Sequence, residues 1–300
     1  MQWTTPGGLL RKANLWCVLG IPGVWWIDIQ VDGVRRGSLS QTPPGRLPSS
    51  GQVIASSYTS PLDVLYLAAI FDPIFTQSQA GSRLVRPVSI EGALASCFDV
   101  QPPPPFDARK GCLPLADLIK QNKDRVIVVF PESTTSNGRG ILKLSHSLLS
   151  ATPQTRIFPV SLRYTPADVV TPIPGWLEAV RFIWRLNSQQ THCIRVRIGA
   201  PTSVASAPPS DSSPVPTTRS KTGRSSTGMD SNFFDTLDST TNSSSQSGDG
   251  DGGLGEQEKR VLDAVADALA RLGRVKRVGL GVEEKERFVE AWSQGRKKRA

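Results

Sequence analysis

The stretch Val126-Ile127-Val128-Val129-Phe130-Pro131-Glu132-Ser133-Thr134-Thr135-Ser136-Asn137-Gly138-Arg139-Gly140 decides the fold class. Its first five residues are apolar and mostly β-branched, and a proline ends the run, which is typical of a buried strand in a parallel sheet. In open α/β sheets, ligands bind beyond the carboxyl ends of such strands. The polar residues that follow include two glycines, which allow the backbone to approach a ligand closely. The stretch therefore predicts either a polar loop delivered into a site or an ordinary strand-to-helix turn.

A second stretch has the same organisation. Residues 53–56 form a short apolar strand candidate, residues 57–63 are mostly polar, and residues 64–70 have a helical pattern. Asp63 therefore lies near the start of a helix, where the helix dipole favours a carboxylate. The position is compatible with a purely structural role or with a role in a site.

Together, the two stretches resemble the glycerolipid acyltransferases, which carry an N-H-x-x-x-x-D block and then an F-P-E-G-T block. Here the first block reads Ser57-Tyr58-Thr59-Ser60-Pro61-Leu62-Asp63, and Phe130-Pro131-Glu132 opens the second about seventy residues later. The run Ile157-Phe158-Pro159-Val160 resembles a later strand block of the family. The similarity is greatest to the fungal lysophosphatidic acid:oleoyl-CoA acyltransferases, and it covers about residues 9 to 200.

The resemblance implies an α/β fold with a mostly parallel sheet flanked by helices, as in glycerol-3-phosphate acyltransferases. The patterns predict strands near residues 53–56, 85–90, 126–130, 157–162 and 193–199. They predict helices near residues 63–71, 114–122, 139–149 and 175–187. The strand at 193–199 alternates polar and apolar residues, which is typical of a sheet edge.

The chemistry of the family implies the roles of the site residues. A hydroxyl of the acceptor attacks the thioester carbonyl of acyl-CoA, so the site needs a base and a stabilised oxyanion. In the family the histidine is the base and the aspartate orients it, which implies catalytic roles for Tyr58, at the histidine position, and for Asp63. The resemblance implies substrate contacts by Glu132, Ser133, Thr134, Thr135, Asn137, Gly138 and Arg139.

Individual residues of the second block depart from the family pattern. Thr135 occupies the slot of an arginine that binds the acceptor's phosphate, and Arg139 is the nearest guanidinium that could replace it. Glu132 would bind the acceptor's hydroxyls or hold the loop. Ser133 replaces a glycine, which requires either a negative φ or absorbed strain. Asn137-Gly138 is equally compatible with a plain turn.

Tyrosine has an unperturbed pKa of about 10, against about 6.5 for histidine, so it is a poor base at neutral pH. Three alternatives remain open: Tyr58 as a proton relay beside Asp63, Asp63 as a direct base, or recruitment of His146 or His192 by the fold. A helix-face position is the simpler interpretation of His146.

Outside residues 50–202, the predicted acyltransferase domain, the chain changes character. Residues 1–49 are predicted to be an N-terminal membrane-interface segment. They contain an apolar run of about fifteen residues, too short to span a bilayer of roughly 30 Å; the alternative is a helix and strand packed on the core. Residues 203–253 are rich in Ser, Gly and Pro, and are predicted to be a disordered linker.

Helical periodicity returns in residues 254–300, predicted to be a C-terminal helical segment with a basic tail. Its apolar stripe consists of Val261, Leu262, Val265, Leu269 and Leu272. A second helix near residues 283–293 presents Phe288, Val289 and Trp292. The tail Arg296-Lys297-Lys298-Arg299 is either solvated or attracted to anionic lipid.

Composition limits the other classes of function. Four scattered cysteines argue against a zinc site and a disulfide framework. The sequence also lacks the G-x-S-x-G motif that would indicate an α/β hydrolase. The net charge of +9 is not accompanied by a nucleic-acid module, so we expect no nucleic acid as partner. We expect acyl-CoA and a lysophospholipid as substrates, no other cofactor or metal, and a membrane surface as partner, at the cytosolic face of the endoplasmic reticulum and lipid droplets. A non-catalytic relative that binds lipid or acyl-CoA as a scaffold is the alternative.

Overall fold

The computed structural model describes residues 6–34, 45–99, 111–167, 169–171, 173–206 and 254–297. Most of the predicted linker, residues 207–253, and the end of the basic tail lie outside the described residues. Residues 203–206, at the start of the predicted linker, lie in a short strand and a 3-10 turn.

Among the described residues, nine strands form one mixed sheet. They are β1 (Val24–Val31), β2 (Val53–Ser56), β3 (Ile74–Ser78), β4 (Leu84–Val88), β5 (Leu113–Pro114), β6 (Ile127–Val129), β8 (Arg156–Thr165), β9 (His192–Ile198) and β10 (Thr202–Ser203). Their order across the sheet is β1-β9-β8-β2-β6-β3-β4-β5, with β10 paired to β8. Strands β8, β2, β6 and β3 run parallel at the centre. The predicted α/β fold with a mostly parallel sheet is confirmed.

Helices cover both faces of this sheet. They are α1 (Pro6–Gly20), α2 (Pro61–Phe71), α3 (Ile90–Ser96), α4 (Leu115–Gln121), α5 (Trp176–Ser188), α6 (Glu256–Gly273) and α7 (Val282–Lys297). In the part of the chain that is described, no helix combines the length and apolar character needed to cross a membrane.

The central strands are apolar on both faces because each face packs into a separate cluster. In β2, Ile54 points into a cluster with residues of α1, α2 and α5, whereas Val53 and Ala55 point into a cluster with residues of α4 and α6. In β6, Val128 points into the first cluster, whereas Ile127 and Val129 point into the second. This double coverage explains the continuous apolar runs of the two strands that precede the blocks.

The predicted helix at residues 139–149 is wrong. Residues 140–141 form strand β7, which pairs with β11 (Lys276–Arg277), and a 3-10 turn covers His146–Ser150. The N–H groups of Leu142, Lys143 and Ser145 bond Glu132, Leu280 and Pro131 rather than the preceding turn of a helix. Tertiary partners for the backbone therefore override the helical pattern.

The prediction of an edge strand at residues 193–199 is also wrong. Strand β9 lies between β8 and β1, and β1 forms the edge of the sheet. Every second residue of β9 is buried, as the alternating sequence predicts. The residues between them are partly exposed because one face of the sheet is incompletely covered at β9, not because β9 is an edge strand. The N-terminal residues thus form helix α1, which packs on the core, and strand β1, which is part of the sheet. The side chains of Trp25 and Trp26 in β1 are exposed.

Candidate active site

The two sequence blocks meet because the strands before them are neighbours. Strands β2 and β6 run parallel and in register, with Val53 opposite Ile127. Their carboxyl ends therefore open at the same edge of the sheet, where ligands bind in α/β folds. The first block leaves β2 at this edge and the second leaves β6.

Glu132 joins the blocks through the backbone. Its Oε1 accepts a hydrogen bond from the N–H of Tyr58 at 3.2 Å, and its Oε2 accepts one from the N–H of Leu142 at 3.1 Å. The N–H of Ser136 donates to the carbonyl of Tyr58 at 2.9 Å. Burial raises the pKa of Glu132 to about 8, so the carboxyl group is largely protonated at neutral pH. The side chain holds the loop, which is one of its two predicted roles.

Asp63 caps the first turn of α2. Its carboxylate is wholly buried and accepts hydrogen bonds from the N–H groups of Thr59 at 2.7 Å and Ser60 at 2.9 Å. The hydroxyls of Thr59 and Tyr164 also donate to it. Burial raises the pKa of Asp63 to about 6, against the lowering effect of these donors. The carboxylate is therefore ionised at neutral pH, and its oxygens already accept hydrogen bonds from Thr59, Ser60 and Tyr164.

Tyr58 is a core residue. Its ring stacks on Phe130 with centroids 4.3 Å apart, and its hydroxyl donates to the carbonyl of Ala93 at 3.4 Å. Only 4% of the residue is exposed, and burial raises the pKa of the phenol well above its usual value. The phenol therefore remains protonated at neutral pH and can act as a hydrogen-bond donor.

The two histidines lie in other parts of the fold. His146 borders a cavity between the segment 141–146 and α6. His192 is buried at the start of β9, where its Nε2 lies 2.8 Å from the carbonyl of Leu186 at the end of α5.

The start of the second block is strained and hydrogen-bonded to neighbouring segments of the fold. Ser133 has a φ of +58°, so the strain expected for a side chain at a glycine position is absorbed by the fold. Its hydroxyl lies 3.2 Å from that of Ser78 on β3. The hydroxyl of Thr135 donates to the carbonyl of Thr171 at 2.8 Å. These bonds hold this part of the block in place, and Ser133 and Thr134 also line a cavity with Tyr58.

The end of the second block faces open space. Asn137 Oδ1 accepts from the N–H of Arg139 at 3.0 Å, and Gly138 has a φ of +67°, so the predicted turn forms. Arg139 is exposed and borders two cavities. One also contains Thr59 and Arg163, and the other lies against α7.

Lys285 of α7 is a site residue that the sequence analysis missed. Its Nζ donates to the hydroxyl of Thr134 and to the hydroxyl and carbonyl of Thr135, each at 2.8 Å. Burial lowers its pKa to about 8. Because Lys285 sits in a charged run typical of a solvated helix face, nothing in its local sequence indicates this position.

The described part of the chain contains no group of three His, Cys, Asp or Glu side chains that could hold a metal ion.

Comparison with known proteins supports a relationship to an acyltransferase. No family model matches the chain. A protein of Schizosaccharomyces pombe, named as a candidate lysophosphatidic acid:oleoyl-CoA acyltransferase, is 30% identical over 156 residues. These residues are 50% of this chain and 49% of the relative, so the match spans about half the length of each protein. The chain is therefore similar to an acyltransferase of lipid metabolism, and the predicted resemblance is confirmed.

Proposed function

We propose that the protein is an acyl-CoA-dependent acyltransferase that acylates lysophosphatidic acid to phosphatidic acid. In this reaction the acceptor's hydroxyl oxygen bonds the thioester carbon, the carbon–sulfur bond breaks, and coenzyme A leaves as the thiol. The observation that carries the proposal is that the two blocks meet at the carboxyl ends of β2 and β6. There the N–H of Tyr58 donates a hydrogen bond to the side chain of Glu132. The similarity to the fission yeast protein supports it.

The environment of Tyr58 predicts a slow enzyme. A positioned general base contributes about 10²–10⁴-fold to a rate, and a protonated phenol cannot supply that contribution. Asp63 is ionised at neutral pH, but its carboxylate oxygens are buried and hydrogen-bonded to protein groups. Turnover without a histidine would depend on binding and orientation of the two substrates, which still accelerate a bimolecular reaction.

A second candidate is a protein that binds lipid or acyl-CoA without transfer, as a scaffold in lipid storage or trafficking. The packing of Tyr58 favours it, because the ring stacks on Phe130 and the hydroxyl bonds a backbone carbonyl. The side chain at the histidine position thus serves the core.

Transfer of labelled oleate from oleoyl-CoA to lysophosphatidic acid in liposomes separates the two candidates. We expect slow transfer by the parent chain, a rise of at least tenfold in Tyr58→His, and loss in Asp63→Asn that remains folded. Tyr66→Phe is a matched control, because Tyr66 is a buried tyrosine in the middle of α2. If neither the parent nor Tyr58→His transfers oleate while both bind oleoyl-CoA, the scaffold is the function.

We further propose that the protein works at a membrane surface, at the cytosolic face of the endoplasmic reticulum and lipid droplets. Its net charge of +9 favours anionic lipid surfaces. Exposed tryptophans at positions 25, 26, 176 and 184 suit the interface between headgroups and acyl chains. Apart from acyl-CoA as co-substrate, the proposed reaction needs no cofactor.

A further inference from the structure

An apolar groove lies between the second block and the C-terminal segment. Its volume is about 440 Å³, within the range of small-molecule sites. One wall is the loop from Thr135 to Leu142, and the other runs from Val278 to Phe288. Ile173 lies in the lining as well. Residues separated by more than a hundred positions in the chain therefore share one cavity.

Backbone bonds fix the two walls against each other. Strand β7 pairs with β11, Val278 N–H donates to the carbonyl of Ile141 at 2.9 Å, and Lys143 N–H donates to the carbonyl of Leu280 at 2.9 Å. The close approach requires Gly140, where an added Cβ would lie 3.1 Å from the side chain of Val278. The backbone hydrogen bonds between the two walls therefore fix the shape of the groove.

Two cations border this apolar lining. Arg139 is exposed at the loop wall, and its guanidinium makes no hydrogen bond or ion pair with the described residues. Lys285 is partly buried in the opposite wall, where its Nζ donates hydrogen bonds to Thr134 and Thr135. Glu284 also lines the groove, but its carboxylate accepts from the N–H of Gly281 at 2.7 Å. The free donor is therefore a planar guanidinium, which binds phosphate oxygens in pairs.

We propose that this groove, with α7 as one wall, binds the acyl acceptor as a single-chain lipid with a phosphate monoester head. Arg139 contacts the phosphate, Lys285 positions the loop and adds positive charge, and Ile173, Leu280 and Phe288 contact the chain. The inference rests on the proposed function for the identity of the acceptor. It adds that residues beyond position 253 complete the site and select the ligand.

The shape and charge of the groove favour the acceptor over coenzyme A. A phosphate monoester on an alkyl chain needs one cationic end and one apolar length, and the groove has both. Coenzyme A carries several phosphates and an adenine ring, and would need a broader cationic surface than Arg139 and Lys285 provide.

Binding of labelled 1-oleoyl-lysophosphatidic acid to the full chain, without acyl-CoA and below micelle formation, tests the proposal. Monooleoylglycerol, which has the chain but no phosphate, is the matched ligand. We expect Arg139→Ala to weaken binding of the phosphate lipid about tenfold, or about 1.4 kcal/mol, and to leave monooleoylglycerol binding unchanged. Phe288→Ala should weaken both ligands by similar factors.

Controls on the same helix guard against a general effect on folding. Arg287→Ala removes a cation that does not line the groove, and this variant should bind within twofold of the parent. Lys285→Met keeps the length of the side chain and should weaken only the phosphate lipid. Because Phe288 is 49% exposed, its truncation tests α7 even if Lys285→Met unfolds.

The outcomes separate this inference from the proposed function. If Phe288→Ala and Arg139→Ala bind both ligands like the parent, the groove is not the acceptor site, whether or not the protein transfers oleate. If binding depends on these residues but no transfer occurs, the groove is confirmed and the scaffold replaces the enzyme.

Discussion

At the scale of single residues, Ser133 carries backbone strain that a glycine would remove. A side chain in the left-handed region costs roughly 1–2 kcal/mol, and Ser133 has a φ of +58°. Glycine relieves that cost but adds about 0.5–1 kcal/mol of entropy in the unfolded chain. Glycine also loses the hydroxyl contact with Ser78, so we expect the free energy of unfolding of Ser133→Gly to stay within about 0.5 kcal/mol of the parent's in urea titrations.

The comparison with Ser133→Ala separates strain from the hydroxyl. Alanine keeps the strained conformation and loses the contact with Ser78, so its free energy of unfolding should fall below that of the parent. A stability order with alanine above glycine would contradict the assignment of strain to this position.

Glu132 predicts a pH dependence of stability. Its pKa is about 8 in the folded chain against an ordinary value of 4.5, so between these pH values the folded state holds a proton that the unfolded state has released. The resulting stability is present below pH 4.5 and is lost as the pH rises through about 8. We expect the free energy of unfolding to fall between pH 6 and 8 by up to about 1.4 kcal/mol per pH unit.

The window from pH 6 to 8 isolates Glu132 from its neighbours. The pKa of Asp63 is about 6, so its contribution of the same sign is lost below this window. Lys285, with a pKa near 8, contributes the opposite sign above it. Glu132→Gln should flatten the slope whatever its effect on overall stability, while the exposed Glu256→Gln should retain it. An unchanged slope in Glu132→Gln would refute the assignment.

At the scale of elements, the sequence predicted strands better than helices. Strands β2, β6 and β8 are recognisable because burial of both faces leaves a continuous apolar run. The segment 139–149 has an equally convincing helical pattern, but partners distant in the chain take its N–H groups. Lys285 was missed for the same reason, since its partners lie about 150 positions away. Asp63 was recognisable as a helix-start residue because its capping partners are local.

Helix α5 presents an apolar face to the exterior. Phe182 and Leu186 face the core, whereas five large apolar side chains are between 46% and 77% exposed. They are Trp176, Leu177, Val180, Ile183 and Trp184. At 3.6 residues per turn they share about a third of the helix surface. Such a helix is typical of one that lies in a membrane interface.

We expect the double variant Trp176→Ala and Trp184→Ala to bind lipid vesicles less well. Loss of two interfacial rings should reduce partitioning onto phosphatidylcholine vesicles with a minor fraction of phosphatidic acid by at least tenfold, or about 1.4 kcal/mol. Flotation with the vesicles measures it. Trp292→Ala is the control, since that exposed tryptophan lies on α7. Equal flotation of the double variant and the control would exclude α5 as the contact.

At the scale of the whole molecule, the C-terminal segment is an integral part of the domain. Helix α6 buries Val261, Val265 and Leu269 completely. Its last carbonyls accept hydrogen bonds from Arg163 of β8 and Arg197 of β9, at 2.7 and 3.1 Å. The helix therefore closes one face of the sheet and places α7 beside the second block. The predicted division at residues 202 and 254 describes the composition of the chain, while the core runs across that division.

This arrangement predicts that residues 207–253 act only as a tether. Replacing them with a Gly/Ser sequence of equal length should leave the free energy of unfolding and the binding of 1-oleoyl-lysophosphatidic acid unchanged. A chain cleaved at a protease site within this replacement should keep its C-terminal segment bound during size-exclusion chromatography at micromolar concentration. Full burial of three aliphatic side chains contributes about 1.5–3 kcal/mol each, enough to hold the segment with the added bonds of α7. Separation of the fragments would show that the tether, rather than the packing of α6, keeps Lys285 in the site.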